Sequence, residues 1–314
     1  MRRLYTNLLK LVTLLWCCAL PQSLNATLII AVRHNDDLYI ASDSVLSHLH
    51  QKSAEKYMKC FPASKTSCVA ISGFGGADGT IVTTSNQVTF DLRFPQKLEQ
   101  IATEESPRYQ FFSDSVTNIL NRFAPVYKSF MDLVETNSYT NHEQFDETDI
   151  YFIGYDTTTA TFCQSTARFP PIAPYTFTLE KVLIPKSSIR FLGEYGFLSA
   201  LMRGDDARLK PLKSEALIAA LSPPPSADKE LQARTICGAI LQLYALHIKY
   251  SKQYKYDPGL VGPPYVIYRV STNNATRIYY GNGSATSDET VVDILLCLTV
   301  VLLIVGIIIF ALRS

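Results

Sequence analysis

Charge is what this chain has little of. Only 18% of its 314 residues are Asp, Glu, Lys or Arg, and the two signs nearly cancel, 29 basic against 28 acidic. No long basic run occurs, which argues against a nucleic-acid partner, because phosphate binding needs clustered positive charge. Several catalytic signatures are missing too. No G-x-S-x-G elbow is present to carry a serine-hydrolase nucleophile. Gly73-Phe74-Gly75-Gly76 lacks the lysine of a phosphate loop. His48 and His50 have no further ligand cluster with them, so the pair reads as surface loop and no metal or cofactor is expected.

The shortage of charge points to hydrophobic segments at the two ends. Met1-Arg2-Arg3 is basic, Leu8 to Leu20 is apolar apart from Lys10 and Thr13, and Pro21 ends the run. Roughly a dozen apolar residues make a signal-peptide core and are too few to cross a bilayer. Ala26 sets a small residue before Thr27, giving residues 1–26 as the leader, with cleavage nearer Ser23 as the competitor. At the far end Ile294 to Leu312 runs 19 residues without a charge. At about 1.5 Å per residue such a helix covers roughly one hydrocarbon core. The expectation is a single-pass type I protein: a body over 27–281, a stalk over 282–293 and a membrane helix over 294–312, facing the cell exterior or a secretory lumen. A glycolipid-anchor signal at Gly283-Ser284-Ala285 is the alternative and leaves the body on the same side.

That side suits the sequons at Asn274 and Asn282, both glycosylation candidates, and a third at Asn25-Ala26-Thr27. It suits cysteine pairing as well. The body holds Cys60, Cys68, Cys163 and Cys237, an even number in an oxidising compartment. Cys60 and Cys68 flank a hairpin-like stretch, so a cross-strand bridge and a Cys163–Cys237 partner bond are one pairing. The other two pairings and free thiols remain open.

Hydrophobic periodicity orders the body. Hairpins are expected at Thr27–His34 with Leu38–Ser42, at Met58–Phe61 with Cys68–Ser72, and at Asp149–Tyr155 with Ala160–Gln164. A helix is expected from Asp78 to about Phe90, a clear amphipathic one over Ser113–Glu135, and others over Phe197–Met202 and Lys229–Lys252. Lys181–Phe191 reads as extended, and Pro263–Val270 and Thr276–Tyr280 as closing strands. The order suggests helix layers on antiparallel sheets, an α+β class with a four-layer αββα sandwich.

One stretch carries chemistry. In Thr27-Leu-Ile-Ile-Ala-Val-Arg-His-Asn-Asp-Asp-Leu-Tyr-Ile-Ala-Ser-Asp43-Ser44, followed by Lys59, the three polar residues Thr27, Asp43 and Lys59 fall 16 apart, and the Ser72-Gly73 corner follows. This resembles the start of a mature proteasome β-subunit, an N-terminal-nucleophile (Ntn) hydrolase of the threonine-peptidase type. Ile153-Gly154-Tyr155-Asp156 and Phe191-Leu192-Gly193 resemble later parts of the same family. The resemblance is specific over Thr27 to Asp78 and loose from there to about Tyr280. It implies the Ntn-hydrolase sandwich, self-association into homo- or hetero-oligomeric rings, and a peptide or protein substrate cut through an acyl-enzyme. It implies Thr27 as nucleophile, Lys59 and Asp43 as its charged support, and the Gly73 N–H as oxyanion donor.

The chemistry supports those roles. A threonine hydroxyl needs a base, and an α-amine with a pKa of about 7.7–8.0 can serve at neutral pH. A lysine held by a carboxylate favours the alkoxide, and a glycine lets the oxyanion come close. Three positions depart from the family pattern. Ala26 stands where self-processing members have glycine, Glu194 where an auxiliary serine is expected, and Asp257 opens Asp-Pro-Gly-Leu with Leu260 in a serine position. Asp257 remains a candidate for supporting the amine. A catalytically inactive surface or assembly protein is the second function, and an unrelated single-pass receptor the third.

Overall fold

The computed structural model describes residues 22–24, 27–48, 51–74, 76–82, 87–106, 112–136, 147–193, 195–224, 228–256 and 261–282. Asn35-Asp36 makes the first tight turn, with Asn35 in the left-handed region at φ 53°, a conformation asparagine tolerates. The turn joins β2 (Leu28–His34) to β3 (Asp37–Asp43), both almost wholly buried. A strand ahead of them, β1 (Gln22–Leu24), is followed after β3 by β4 (Val45–His48), β5 (Gln51–Lys56), β6 (Cys60–Ser64) and β7 (Ser67–Phe74). Next come β8 (Gly76–Val82), β9 (Gln87–Arg93), α1 (Phe94–Glu105) and α2 (Phe112–Thr136). The chain continues through β10 (Thr148–Asp156), β11 (Thr161–Phe169), β12 (Thr178–Leu183) and β13 (Ser188–Gly193). It ends with α3 (Gly196–Arg203), α4 (Glu215–Leu221), α5 (Lys229–Tyr250), β14 (Tyr265–Ser271) and β15 (Ala275–Gly281).

These strands make an eight-stranded sheet, β12-β11-β10-β7-β1-β4-β5 with β6 also on β7, and a five-stranded sheet, β13-β2-β3-β14-β15. Every pairing is antiparallel. Alternation along β7 sends Cys68 and Ala70 toward the smaller sheet, where they meet Ile29, Ala31, Ile40 and Val266. It sends Val69 and Ile71 the other way, onto α1 and α2 through Leu98, Ile119 and Phe123. The outer face of β2 and β3, through Ile30, Val32 and Tyr39, meets Leu198, Ile236 and Ile240 of α3 and α5.

Some expectations are corrected. The anticipated class, an αββα Ntn-hydrolase sandwich, does not describe the residues seen, and the C-terminal transmembrane helix expected with it lies outside them. The body is mainly two unequal antiparallel sheets, with a separate two-stranded β8-β9 ribbon. That ribbon replaces the helix expected from Asp78 to Phe90, where Thr80, Ile81, Val82, Val88 and Thr89 are β-branched and stiff at χ1. Lys181–Phe191 is two strands in different sheets, β12 and β13. Helix α1 was not anticipated, although Pro95 in its first turn and Leu98, Ile101, Ala102 and Glu105 buried along one side carry the signal. Ile294 to Leu312 lies outside the described residues, and among those described no helix is long and apolar enough to cross a membrane.

The aromatic seam under α2 should dominate stability. Phe123 is fully buried and meets Phe94 and Phe169 edge-on at ring distances of 5.4 and 5.5 Å. Phe123→Ala is expected to cost about 3–5 kcal/mol, measured as a fall in the chemical-denaturation midpoint.

Candidate functional site

The site forms where β2 begins. Thr27 is buried just ahead of that strand. Asp43, at the end of β3, reaches back across the hairpin, and its Oδ1 accepts a hydrogen bond from the Leu28 N–H at 3.1 Å. Its other oxygen, Oδ2, accepts from Lys59 Nζ at 3.1 Å. Both side chains of this ion pair are 0% exposed. Burial holds the Lys59 ammonium below the ordinary lysine range, and the Asp43 carboxylate pulls it back up. From the helical side, the Tyr244 hydroxyl on α5 donates to the Leu28 carbonyl at 2.8 Å. The backbone after Thr27 is thus gripped at both its N–H and its C=O.

Two glycines close the site. Gly73 lies on β7 at φ 88° and Gly193 ends β13 at φ 73°, both in the left-handed region. A Cβ on Gly193 would overlap the Thr27 carbonyl oxygen, and one on Gly73 would overlap the Glu147 carbonyl oxygen. Only glycine fits either place. Between the sheets here lies a cavity of about 400 Å³, lined by Thr27, Ser72, Gly73, Tyr151, Gly193 and Tyr195 among others.

Of the residues singled out in the sequence, Thr27, Gly73 and Gly193 share this cavity, and the Asp43–Lys59 pair is bonded to Leu28, the first residue of β2, directly after Thr27. Glu194, Asp257 and Leu260 lie outside the described residues, as does His50. Asn274 and Asn282 are exposed. Of the alternatives left open for the cysteines, the structure has the free thiols: Cys60, Cys68, Cys163 and Cys237 are buried and unbridged. Cys60 and Cys68 are neighbours in the layer between the sheets. Cys163 belongs to the core under α1 and α2, and Cys237 to the core under α5 on the other side of both sheets, so these two cannot bridge.

Sequence reasoning missed the cavity's polar wall. Ser72 Oγ donates to the Tyr151 hydroxyl at 3.2 Å, and that hydroxyl donates to Asp149 Oδ2 at 2.9 Å. Arg168 Nε then meets Asp149 Oδ1 at 3.1 Å and Glu147 at 3.3 Å. The signal was the alternating polar positions Glu147, Asp149 and Tyr151, hidden because the stretch also reads as an ordinary strand. The segment ahead of Thr27 contributes a second unexpected feature. Ser23 and Leu24 of β1 pair with Phe74 and Gly73 of β7, while Gln22 and Ser23 pair with His48 and Ser47 of β4.

No protein-family model matches the chain, and no curated protein matches it. Among solved structures it is similar to a Gly-1 mutant of Anbu from Hyphomicrobium sp. strain MC1, at 10% identity and a TM-score of 0.43, over 88% of this chain and 94% of that one. The chemistry of the site is therefore read from the chain's own residues.

Lys59→Met should strand a buried carboxylate and cost about 3–5 kcal/mol in a denaturant melt. Adding Asp43→Leu to it should recover part of that loss, short of the Leu28 bond. In the native protein, stability should rise with pH through the window between the lowered Lys59 pKa and the ordinary lysine value of 10.5. There the unfolded chain binds the extra proton. Lys59→Met should flatten that slope.

Proposed function

We propose that the chain is a threonine-type amidohydrolase of the Ntn, proteasome β-subunit kind, an endopeptidase once Thr27 becomes the mature N-terminus. The observation that carries this reading is the buried Lys59–Asp43 pair bonded to the residue after Thr27, with Gly73 and Gly193 closing the same cavity. In this mechanism the freed α-amine takes the Thr27 hydroxyl proton as Oγ attacks the substrate carbonyl carbon. Lys59 lowers the cost of the developing alkoxide through its positive charge. The Gly73 backbone N–H stabilises the oxyanion. Collapse breaks the C–N bond, the departing amine takes the proton back, and water then hydrolyses the ester at Thr27 to restore the hydroxyl.

The leader supports a peptide as substrate. Its three residues lie between β7 and β4, paired to the Gly73 corner on one side. Removing residues 1–26 would leave a slot with strand edges on both flanks, which an extended peptide can fill by adding a strand. The assignment places the body, 27–281, outside the membrane, on a 282–293 stalk and a 294–312 anchor. Signal peptidase acting after Ala26 would expose the nucleophile, and ring assembly would follow the family pattern.

The same strand favours a second reading. A leader stitched into the sheet on both sides can stay there, leaving a non-catalytic protein that binds partners. Mass spectrometry of the mature N-terminus separates the two. Under the first reading the chain starts at Thr27 with no glycan on Asn25, hydrolyses peptide amides, and loses at least about 1000-fold in turnover on Thr27→Ala. A terminus at Leu24 or earlier, or full activity in Thr27→Ala, would sink it.

A further inference from the structure

The polar wall of the cavity has a direction. Asp149 is acceptor-only when ionised, and it accepts a hydrogen bond from the Tyr151 hydroxyl at 2.9 Å. With its own proton so committed, the Tyr151 oxygen accepts a hydrogen bond from the Ser72 hydroxyl at 3.2 Å. Tyr151 is 5% exposed, and burial raises its pKa, which keeps it a neutral donor at working pH. The Ser72 hydroxyl is therefore locked as a donor toward Tyr151, and its lone pairs are left for a donor in the cavity. Ser72 is 4% exposed, lines the cavity with Thr27, and its Cβ lies 3.4 Å from where a Cβ on Gly193 would sit, a point that also overlaps the Thr27 carbonyl. A polarised acceptor thus stands beside the backbone of Thr27.

We propose that Ser72, oriented by Tyr151 and Asp149, is a positioning residue that accepts a hydrogen bond from the freed Thr27 α-amine and aims it at the Thr27 hydroxyl. The inference rests on the threonine-hydrolase reading, because it needs Thr27 as a terminus. It also answers a gap in the chain, since Glu194 and Leu260 stand where auxiliary serines were expected. An acceptor at the amine stabilises its protonated form, which arises as the amine takes the hydroxyl proton. It opposes Lys59, whose positive charge lowers the amine pKa. Other charged or titratable groups that line the cavity or bond the residue after Thr27 are Asp43 on β3, Glu147 just ahead of β10, Asp149 on β10, Arg168 on β11, Glu180 on β12, Tyr195 just ahead of α3 and Tyr244 on α5. Tyr151→Phe removes the hydroxyl that orders Ser72 and with it one donor to Asp149; Ser72→Ala leaves the Tyr151–Asp149 bond in place and separates the two effects.

The test is the α-amine pKa of the mature, full-length protein, read from the pH dependence of acylation of its N-terminus by acetic anhydride. It is paired with the kcat pH profile on a peptide amide. Tyr151→Phe and Ser72→Ala should each lower the amine pKa by about half a unit or more and move the acid limb of kcat down with it. Turnover should fall about tenfold and KM should change less than twofold. Ser72→Thr, which keeps the hydroxyl, should restore most of the turnover. Ser72→Ala keeps the inference testable where Tyr151→Phe fails to fold. An unchanged amine pKa in both variants overturns the inference, even where Thr27→Ala shows the hydrolase reading to be right. A shifted pKa in a protein that cleaves nothing supports the Ser72 bond to the amine but overturns the hydrolase reading, and with it the positioning role in catalysis. A mature terminus upstream of Thr27 overturns both.

Discussion

A single carboxylate organises the centre of this molecule. Asp43 has one oxygen on the Leu28 N–H and the other on Lys59 Nζ, both at 3.1 Å, with no solvent reaching either side chain. A buried anion is tolerated only when its lone pairs are used, and here they join three segments distant in sequence. The end of β3 is fixed to the start of β2 and to the residue ahead of β6. Tyr244 completes the grip from α5, so the smaller sheet, the larger sheet and a helix meet at one backbone position. The location of Thr27 follows from this arrangement.

The two glycines show the same constraint from the backbone. Gly193 must pass against the Thr27 carbonyl and Gly73 against Glu147, both at positive φ, and neither contact leaves room for a Cβ. The cavity is thus lined both by this close-packed main chain and by the Ser72–Tyr151–Asp149 hydrogen-bond chain. Rigid backbone and a directed hydrogen-bond chain provide what preorganised catalysis requires of a site.

Much of this was legible in the sequence where one residue type had one physical use. The 16-residue spacing of Thr27, Asp43 and Lys59 spans one hairpin, β2-β3, and then a second, β4-β5, and the structure brings Lys59 and Asp43 together. Asn35-Asp36 announced the turn, and the three- and four-residue rhythm from Val116 to Leu133 announced α2. Other features needed tertiary context. Thr80 to Val88 reads as weak helix or weak strand, and its pairing as a ribbon decides between them. The cysteine count suggested bridges, but Cys163 and Cys237 are separated by both sheets, a fact no spacing contains. Tyr151 and Asp149 looked like strand filler because nothing local shows that they face a cavity.

Strand β1 has a consequence for how such a protein would be regulated. Through β1, Gly73 and Phe74 on one side and Ser47 and His48 on the other are paired with the chain's own segment ahead of Thr27. A tethered segment of this kind competes at an effective concentration of about millimolar or higher. A free peptide of ordinary affinity cannot displace it by mass action. Loss of the tether would therefore act as a threshold event: one cut converts a self-occupied groove into an open one, and no graded ligand signal is required.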